Sequence, residues 1–330
     1  MSVINLSHSP RAYKLVFVYI VVFKEVIMTT IADRKIANRR RRLPLYPALI
    51  FTIILTQIPF LVTLGISLFH WNIMYPDDTR FAWFENFQTV AADEAMRAAI
   101  KNSVVLTTGV VFFSTLLGLL LALLLDRKFR GRALLRILVI TPFLITPVAA
   151  ALIWKHIIFN PMYGIVNGFA TQIYQKFGGD SVVVIDFISQ RPLVAIAVPM
   201  IWQWTPFMML IILAGLQSQP PDILEAAAVD GASSRQIFRS MTLPHLRQYI
   251  QLSIVLGTIY IIQSMDFVFT ITQGGPGSDS TIIPYHIYLT LFRKYEFGEA
   301  AAAGVIVIIL TIILSSFAFR LIRNLLETEK

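Results

Sequence analysis

Inside otherwise apolar stretches of this sequence sit a few side chains able to hydrogen-bond or stack. They are Asn102, Gln203 between Trp202 and Trp204, and then Tyr260, Gln263, Asp266 and Thr270. Amides, a carboxylate, a hydroxyl and aromatic rings supply donors, acceptors and flat apolar faces, which is the equipment for holding a solute rather than for breaking a bond. A polar group in a long apolar run is costly, so it turns toward a bundle interior or a watery cavity, or it ties two helices together. On one helix Gln263, Asp266 and Thr270 share a face at spacings of three and four, with Tyr260 nearby. Thr141 and Thr146 are weaker members of this set, and Pro142 and Pro147 are expected to kink the helix that carries them.

Bond-making chemistry is poorly provided for. His8, His70, His156, His245 and His286 are scattered without ligand spacing. The sequence has no cysteine, which removes thiolate metal sites, thiol nucleophiles and disulfides. It has no Gly-Lys pair and hence no phosphate-cradling loop of the P-loop type. No metal site is expected, and an integral membrane enzyme would need a catalytic constellation that is not found.

A different constellation occupies the polar stretch LEAAAVDGASSRQIFRSMTLP at 224–244. Pro220 and Pro221 stop an apolar run, and Pro221 suits a first helical turn. Asp222 and Glu225 then place negative charge at the amino end of a short helix, where its dipole favours it. Ala226, Ala227 and Ala228 leave a nearly bare surface that another backbone can approach, and Gly231 permits a bend that a Cβ would resist. Ser233 and Gln236 fit a capping box for a second helix, apolar at Phe238 and Met241 and basic at Arg235 and Arg239, with Pro244 as its expected end. Alone, the stretch reads either as a hairpin packed on its own bundle or as a handle for another protein.

The elements that must position these residues are membrane helices. Of the 330 residues 56% are hydrophobic and 14% charged, with mean hydropathy +0.69, whereas soluble domains carry about 25% charged residues. Apolar runs at 46–69, 99–125, 134–158, 193–216, 250–271 and 300–321 approach or exceed the roughly 20 residues of a spanning helix, giving about six crossings. The net charge of +9 is gathered at the ends of these runs, which is the pattern of topogenic charge and not of a nucleic-acid surface. Arg39 to Arg42, Arg127, Lys128, Arg130, Arg132, Arg136, Arg235, Arg239, Arg247, Arg320 and Arg323 mark one side as cytoplasmic, with both termini there.

The opposite segments at 160–192 and 273–299 carry turn chemistry, the first at Gly178 and Gly179. Tyr285, Tyr288, Phe292 and Tyr295 in the second are spaced for one face of an interfacial helix. The short apolar run at 15–23 cannot span, and no small-residue cleavage site follows it; Met28 offers an alternative start. The expected organisation is a basic cytoplasmic segment at 1–45 and an all-α membrane domain at 46–330, including a cytoplasmic loop at 217–247.

The ordered string Glu225-Ala226-Ala227, Gly231 and Leu243-Pro244 resembles the EAA motif of permease subunits of ABC importers, with Met241 where that ending usually has Ile. The resemblance runs from about Leu43 to the last span. GGPGSDST at 274–281 and FGEAAAAGVIVIIL are similar to the carbohydrate class, and WKHIIFNP, DFISQRPLVAI and WQWTPFMML resemble permeases for sugar alcohols. The resemblance implies a type I importer fold in the bacterial cytoplasmic membrane. It also implies a second homologous permease, two ATPase subunits that hold ATP and Mg, an extracytoplasmic solute-binding protein, and a sugar or polyol as solute.

In that scheme Glu225, Ala226, Ala227, Asp230, Gly231, Leu243 and Pro244 couple the chain to the ATPase, and the chain itself holds no cofactor and is not an enzyme. Asn102, Trp202, Gln203, Trp204, Tyr260, Gln263, Asp266 and Thr270 are the candidates for the solute path. The alternative is a secondary transporter driven by an ion gradient, with Asp266 as the carrier carboxylate.

Overall fold

The computed structural model describes residues 45–327. The N-terminal segment read from the sequence, including Met28 and the arginines at 39–42, lies outside the described residues. Helix α1 (Tyr46–Ser67) is apolar throughout and continuous past Pro59.

After α1 comes a small antiparallel clip, β1 (Phe69–His70) with β2 (Arg80–Phe81), in which Phe69 lies opposite Phe81 and His70 opposite Arg80. Helix α2 (Glu85–Ala92) leads into α3 (Glu94–Asp126). The Asp93 carboxylate caps α3 by accepting from the Ala95 N–H at 2.8 Å, satisfying a donor that the first turn leaves free. Next are α4 (Arg132–Leu144) and α5 (Pro147–Ile153), which continues as a π-turn over Trp154–Ile158. Helices α6 (Ile165–Lys176) and α7 (Phe187–Gln190) are short, and Gly178 turns between them with φ +91°. The long α8 (Pro192–Gln217) is followed by α9 (Pro221–Val229) and α10 (Ser234–Ile237). A π-turn over Phe238–Thr242 leads into α11 (Leu243–Gln263), and a second covers Val268–Thr272. Helices α12 (Ile283–Phe292) and α13 (Phe297–Glu327) close the described chain.

Among the described residues five helices are long and apolar enough to cross a bilayer, and α4 with α5 forms a sixth crossing if that bent pair is one span. The sequence reading of 134–158 as a single kinked helix is corrected here: α4 and α5 meet at 100°. Ile145 and Thr146 are extended, with ψ 137° and 140°, and at Thr146 the ring of Pro147 disfavours helical geometry in the residue before it.

Two further expectations are corrected. Pro244 does not end a helix. The π-turn closes with the Leu243 N–H donating to the Phe238 carbonyl, and Pro244 then falls in the first turn of α11, where a missing N–H costs little. Helical structure thereby continues from Ser234 through the π-turn to Gln263. Nor do Gln263, Asp266 and Thr270 share one helical face. Ser264 is extended, with ψ 122°, and interrupts the helix between Gln263 and Asp266, so the phase that spacing relies on is lost.

The bundle packs around α3, α8 and α11. Its central buried set includes Leu106, Val110, Ile196, Met200, Met208, Ile261 and Phe267. Bare backbone allows the closest crossings: a Cβ on Gly118 of α3 would stand 2.8 Å from the Met209 nitrogen and 2.9 Å from the Met208 Cβ. On the other side of Met208, its terminal methyl occupies the space a Cβ on Gly257 of α11 would need. At Met208, α8 thus meets α3 through its backbone at Gly118 and α11 through the end of a flexible thioether at Gly257.

Candidate functional site

The Ala-rich stretch folds as its residue types require. Pro221 opens α9, and the helix closes in a Schellman arrangement in which Ala232 N–H donates to the Ala227 carbonyl at 3.0 Å and Gly231 N–H to the Ala228 carbonyl at 3.1 Å. Gly231 has φ +85°, and a Cβ there would meet nothing within 4 Å, so its requirement is conformational and not steric. Ser233 and Gln236 form the expected capping box, with the Ser233 N–H donating to Gln236 Oε1 at 2.8 Å. Glu225, Ala226, Ala228, Val229 and Asp230 are exposed, while Ala227 is 6% exposed and faces inward. The surface open to a partner is thus Glu225 with Ala226, flanked by Ile223 and Val229. Leu243 is half-buried and Pro244 exposed at the start of α11.

The two ends of this loop are bolted together. Ser218 Oγ lies 2.8 Å from the Tyr249 hydroxyl and 3.0 Å from His245 Nε2, and it donates to the Gly215 carbonyl at 2.8 Å. His245 Nε2 is also 3.1 Å from that carbonyl, which accepts only, so the ring nitrogen carries the proton there. The Ser218 proton goes to Gly215, so the Tyr249 O–H is its donor, and the one His245 N–H is shared between the Gly215 carbonyl and Ser218 Oγ. A Cβ on Gly215 would stand 2.5 Å from the Tyr249 ring. With its amide oriented to accept, Gln217 receives the guanidinium groups of Arg132 and Arg136 at 3.1 and 3.3 Å, which places cations at the carboxyl end of α8.

The solute-path candidates do not form one cluster. Trp204 and Tyr260 do come together, ring centroids 6.0 Å apart and stacked, in an aromatic group with Phe143 and Phe207. Trp202 points elsewhere, edge-on to Trp154 at 5.8 Å, and lines an apolar cavity of about 580 Å³ with Pro142 and Pro206. Gln203 is buried and its amide donates to the Ile145 carbonyl at 2.8 Å. Asn102 is buried and donates to the Ser278 and Thr281 carbonyls at 3.0 Å each. Gln263 faces a cavity of about 350 Å³ lined by Pro284, Gly304 and Val307. Asp266 is half-buried and makes no hydrogen bond or ion pair among the described residues. The Thr270 carbonyl accepts from Lys155 Nζ at 2.7 Å, which stitches the two π-turns of α5 and of the segment after α11.

The Gly-Gly-Pro segment is a tightly built loop. Gly274 has φ +80°, and a Cβ there would lie 2.6 Å from Thr281 Oγ1 and 2.9 Å from the Tyr285 ring. Ser280, fully buried, donates to the Gly275 carbonyl at 2.7 Å, and the Ile283 N–H donates to Ser103 Oγ at 2.9 Å. Tyr285, Tyr288 and Phe292 line one side of α12, but Tyr295, expected on the same face, lies past the end of the helix with φ +62°. Beside them lies a polar cavity of about 450 Å³ lined by Asp93, His286, Lys294, Glu296 and Glu299. Burial pushes the His286 imidazole below its ordinary value, opposed by the Asp93 carboxylate 3.6 Å away.

Sequence reading missed Lys155, Ser218, His245 and Tyr249. The hint for Ser218 and His245 was position, since they flank the prolines that bound the loop.

Residues 114–328 match the family described as binding-protein-dependent transport system inner membrane component. A probable ABC transporter permease protein, y4oQ of Sinorhizobium fredii, is 31% identical over 296 residues, covering 87% of this chain and 94% of its own. The trehalose/maltose transport system permease protein MalF of Thermococcus litoralis is 29% identical over 277 residues, covering 83% and 90%. A solved chain of a bacterial alginate ABC transporter shares the fold with a TM-score of 0.69 at 24% identity, covering 88% of this chain and 97% of that one. The two curated relatives are permease proteins, and the broken α4–α5 pair and the Ala-Gly elbow both lie inside the residues that match the family. The chain belongs to the binding-protein-dependent transport system inner membrane component family.

Proposed function

We propose that this chain is a membrane-spanning subunit of an ATP-driven importer in the bacterial cytoplasmic membrane, moving a sugar or sugar alcohol delivered by an extracytoplasmic binding protein. It works beside a second permease subunit, and separate ATPase subunits that hold ATP and Mg drive it through α9. The observation that carries this reading is the continuity of the elbow with the bundle: α9 exposes Glu225 and Ala226, turns at Gly231, and joins a helical unit running without interruption by Pro244 into a spanning helix. Glu225 supplies an acceptor for a donor or cation on the ATPase, and Ala226 lets a groove approach the backbone. The trehalose/maltose relative supports a polyhydroxylated solute, for which the Trp204–Tyr260 faces provide C–H contacts and Asp266 an open acceptor.

Proteoliposomes holding the chain with its second permease, ATPase and binding protein test this, with radiolabelled maltose and sorbitol as probes. Uptake of either that requires ATP and withstands a protonophore is the expected result. Uptake by the purified chain alone that collapses with a protonophore would overturn it in favour of a gradient-driven carrier using Asp266.

A further inference from the structure

The coupling loop leaves α8 at Gln217 and re-enters the bundle at α11, and its two ends are held by side chains that sequence alone gave no reason to connect. We propose that Ser218, His245 and Tyr249, packed over Gly215, form a joint that fixes the base of the coupling loop, so that a displacement of α9 reaches α8 and α11 together. This inference rests on the proposed coupling through α9.

The hydrogen-bond accounting makes the joint specific. Ser218 is the hub: it gives its one proton to the Gly215 carbonyl at 2.8 Å and lies 2.8 Å from the Tyr249 hydroxyl and 3.0 Å from His245 Nε2, whose N–H it shares with that carbonyl. The partners are 27 and 31 residues from Ser218 in sequence, so these bonds close the loop and are not local turn contacts. The Gly215 carbonyl, in the last turn of α8, has no onward helical N–H of its own beyond Ser218 and receives His245 as well. Gly215 admits the Tyr249 ring at a distance no Cβ would tolerate, and the His245 and Tyr249 rings lie 5.8 Å apart. A loop tied only by backbone could swing about Gln217 and Thr242 independently. With four groups interlocked at its base, α9 has one way to move relative to the two spans. Ser218, His245 and Tyr249 are positioning residues, acting through the helices they join.

The absence of native cysteine permits a direct test. Spin labels at Val229→Cys on α9 and Gln248→Cys on α11, both exposed positions, report the angle of the loop to the bundle in the full chain in nanodiscs. A single narrow distance distribution is expected for this labelled parent and for Ser218→Thr, which keeps the hydroxyl. The Ser218→Ala/His245→Phe double variant and Gly215→Ala should each broaden it at least twofold. Distributions as narrow as the parent's in both would overturn the joint.

A second arm adds the partner subunits, measuring ATPase retained on the immobilised chain and maltose imported per ATP hydrolysed. Joint variants should retain ATPase and lower the ratio severalfold, with Ser218→Thr restoring it; an unchanged ratio would overturn the transmission role. Failure of the unlabelled parent to retain ATPase would instead bring down the coupling reading, while the distance data still decide whether the joint is rigid.

Discussion

The side-chain amide of Gln203, in the middle of α8, donates to the carbonyl oxygen of Ile145, the extended residue at the break between α4 and α5. A broken helix in a membrane strands backbone acceptors that water cannot reach, and this one is satisfied by a buried side chain from the neighbouring span. Gln203→Leu keeps the volume and removes the donor. The orphaned carbonyl should cost about 1–3 kcal/mol, read as a lowered midpoint of thermal unfolding in detergent. A variant of unchanged midpoint but altered solute preference would show that the amide serves the solute instead.

Gly231 has empty space around its missing side chain and a backbone angle of φ +85°. Valine there should strain the elbow by about 1–2 kcal/mol and bend α9 out of its docking angle, while the spans insert normally. Solute imported per ATP hydrolysed should fall in Gly231→Val and be partly kept in Gly231→Asn, because asparagine tolerates the left-handed region. Normal coupling in the valine variant would count against the elbow.

At Gly274 the two constraints coincide, since φ is +80° and an added Cβ would press on Thr281 Oγ1 at 2.6 Å and on the Tyr285 ring. Gly274→Ala should open the 274–281 loop, lengthening the Asn102 and Ser103 hydrogen bonds that hold it to α3. Faster limited proteolysis within that loop, compared with the parent chain, is the expected readout.

His286 is buried with its charged form disfavoured. In the unfolded chain it takes up a proton near its ordinary value of about 6.5, whereas in the fold it does so only at lower pH. Its contribution to stability is therefore present above that value and is lost as pH falls from it through the lower folded value, because over that window the unfolded state binds more protons. Unfolding midpoints measured between pH 5 and 8 should drop on the acid side, and His286→Phe should flatten that limb.

Much of the fold was legible because bilayer thickness dictates run length: five of the apolar runs appear as long helices, and the sixth as the α4–α5 pair. The capping box at Ser233 and the turn at Gly231 were equally plain, since each depends on residues within a few positions of one another. What could not be read were effects of backbone phase. Periodicity assumes an unbroken helix, and the extended Ser264 separates Gln263 from Asp266. Pro244 looked like a terminator because sequence does not reveal that a π-turn shifts the register just before it. The joint at Ser218 escaped for a different reason: its members meet only once the loop closes, and a lone histidine carries no spacing signal. Gln203 and Asn102 stood out as polar groups in apolar runs and were read as solute-path candidates, whereas the backbone acceptor each one finds is a matter of tertiary geometry.

The seating of Met208 between Gly118 and Gly257 sets how the bundle can be tuned. Gly118 meets the α8 backbone directly and leaves no slack, whereas Gly257 meets only the tip of the Met208 side chain, so a tilt of α11 against α8 can be taken up by the torsions of that methionine. A stiff, branched replacement would turn a lubricated bearing into a weld. Oxidation of its sulfur would swell the same bearing with a polar oxygen in the driest part of the molecule.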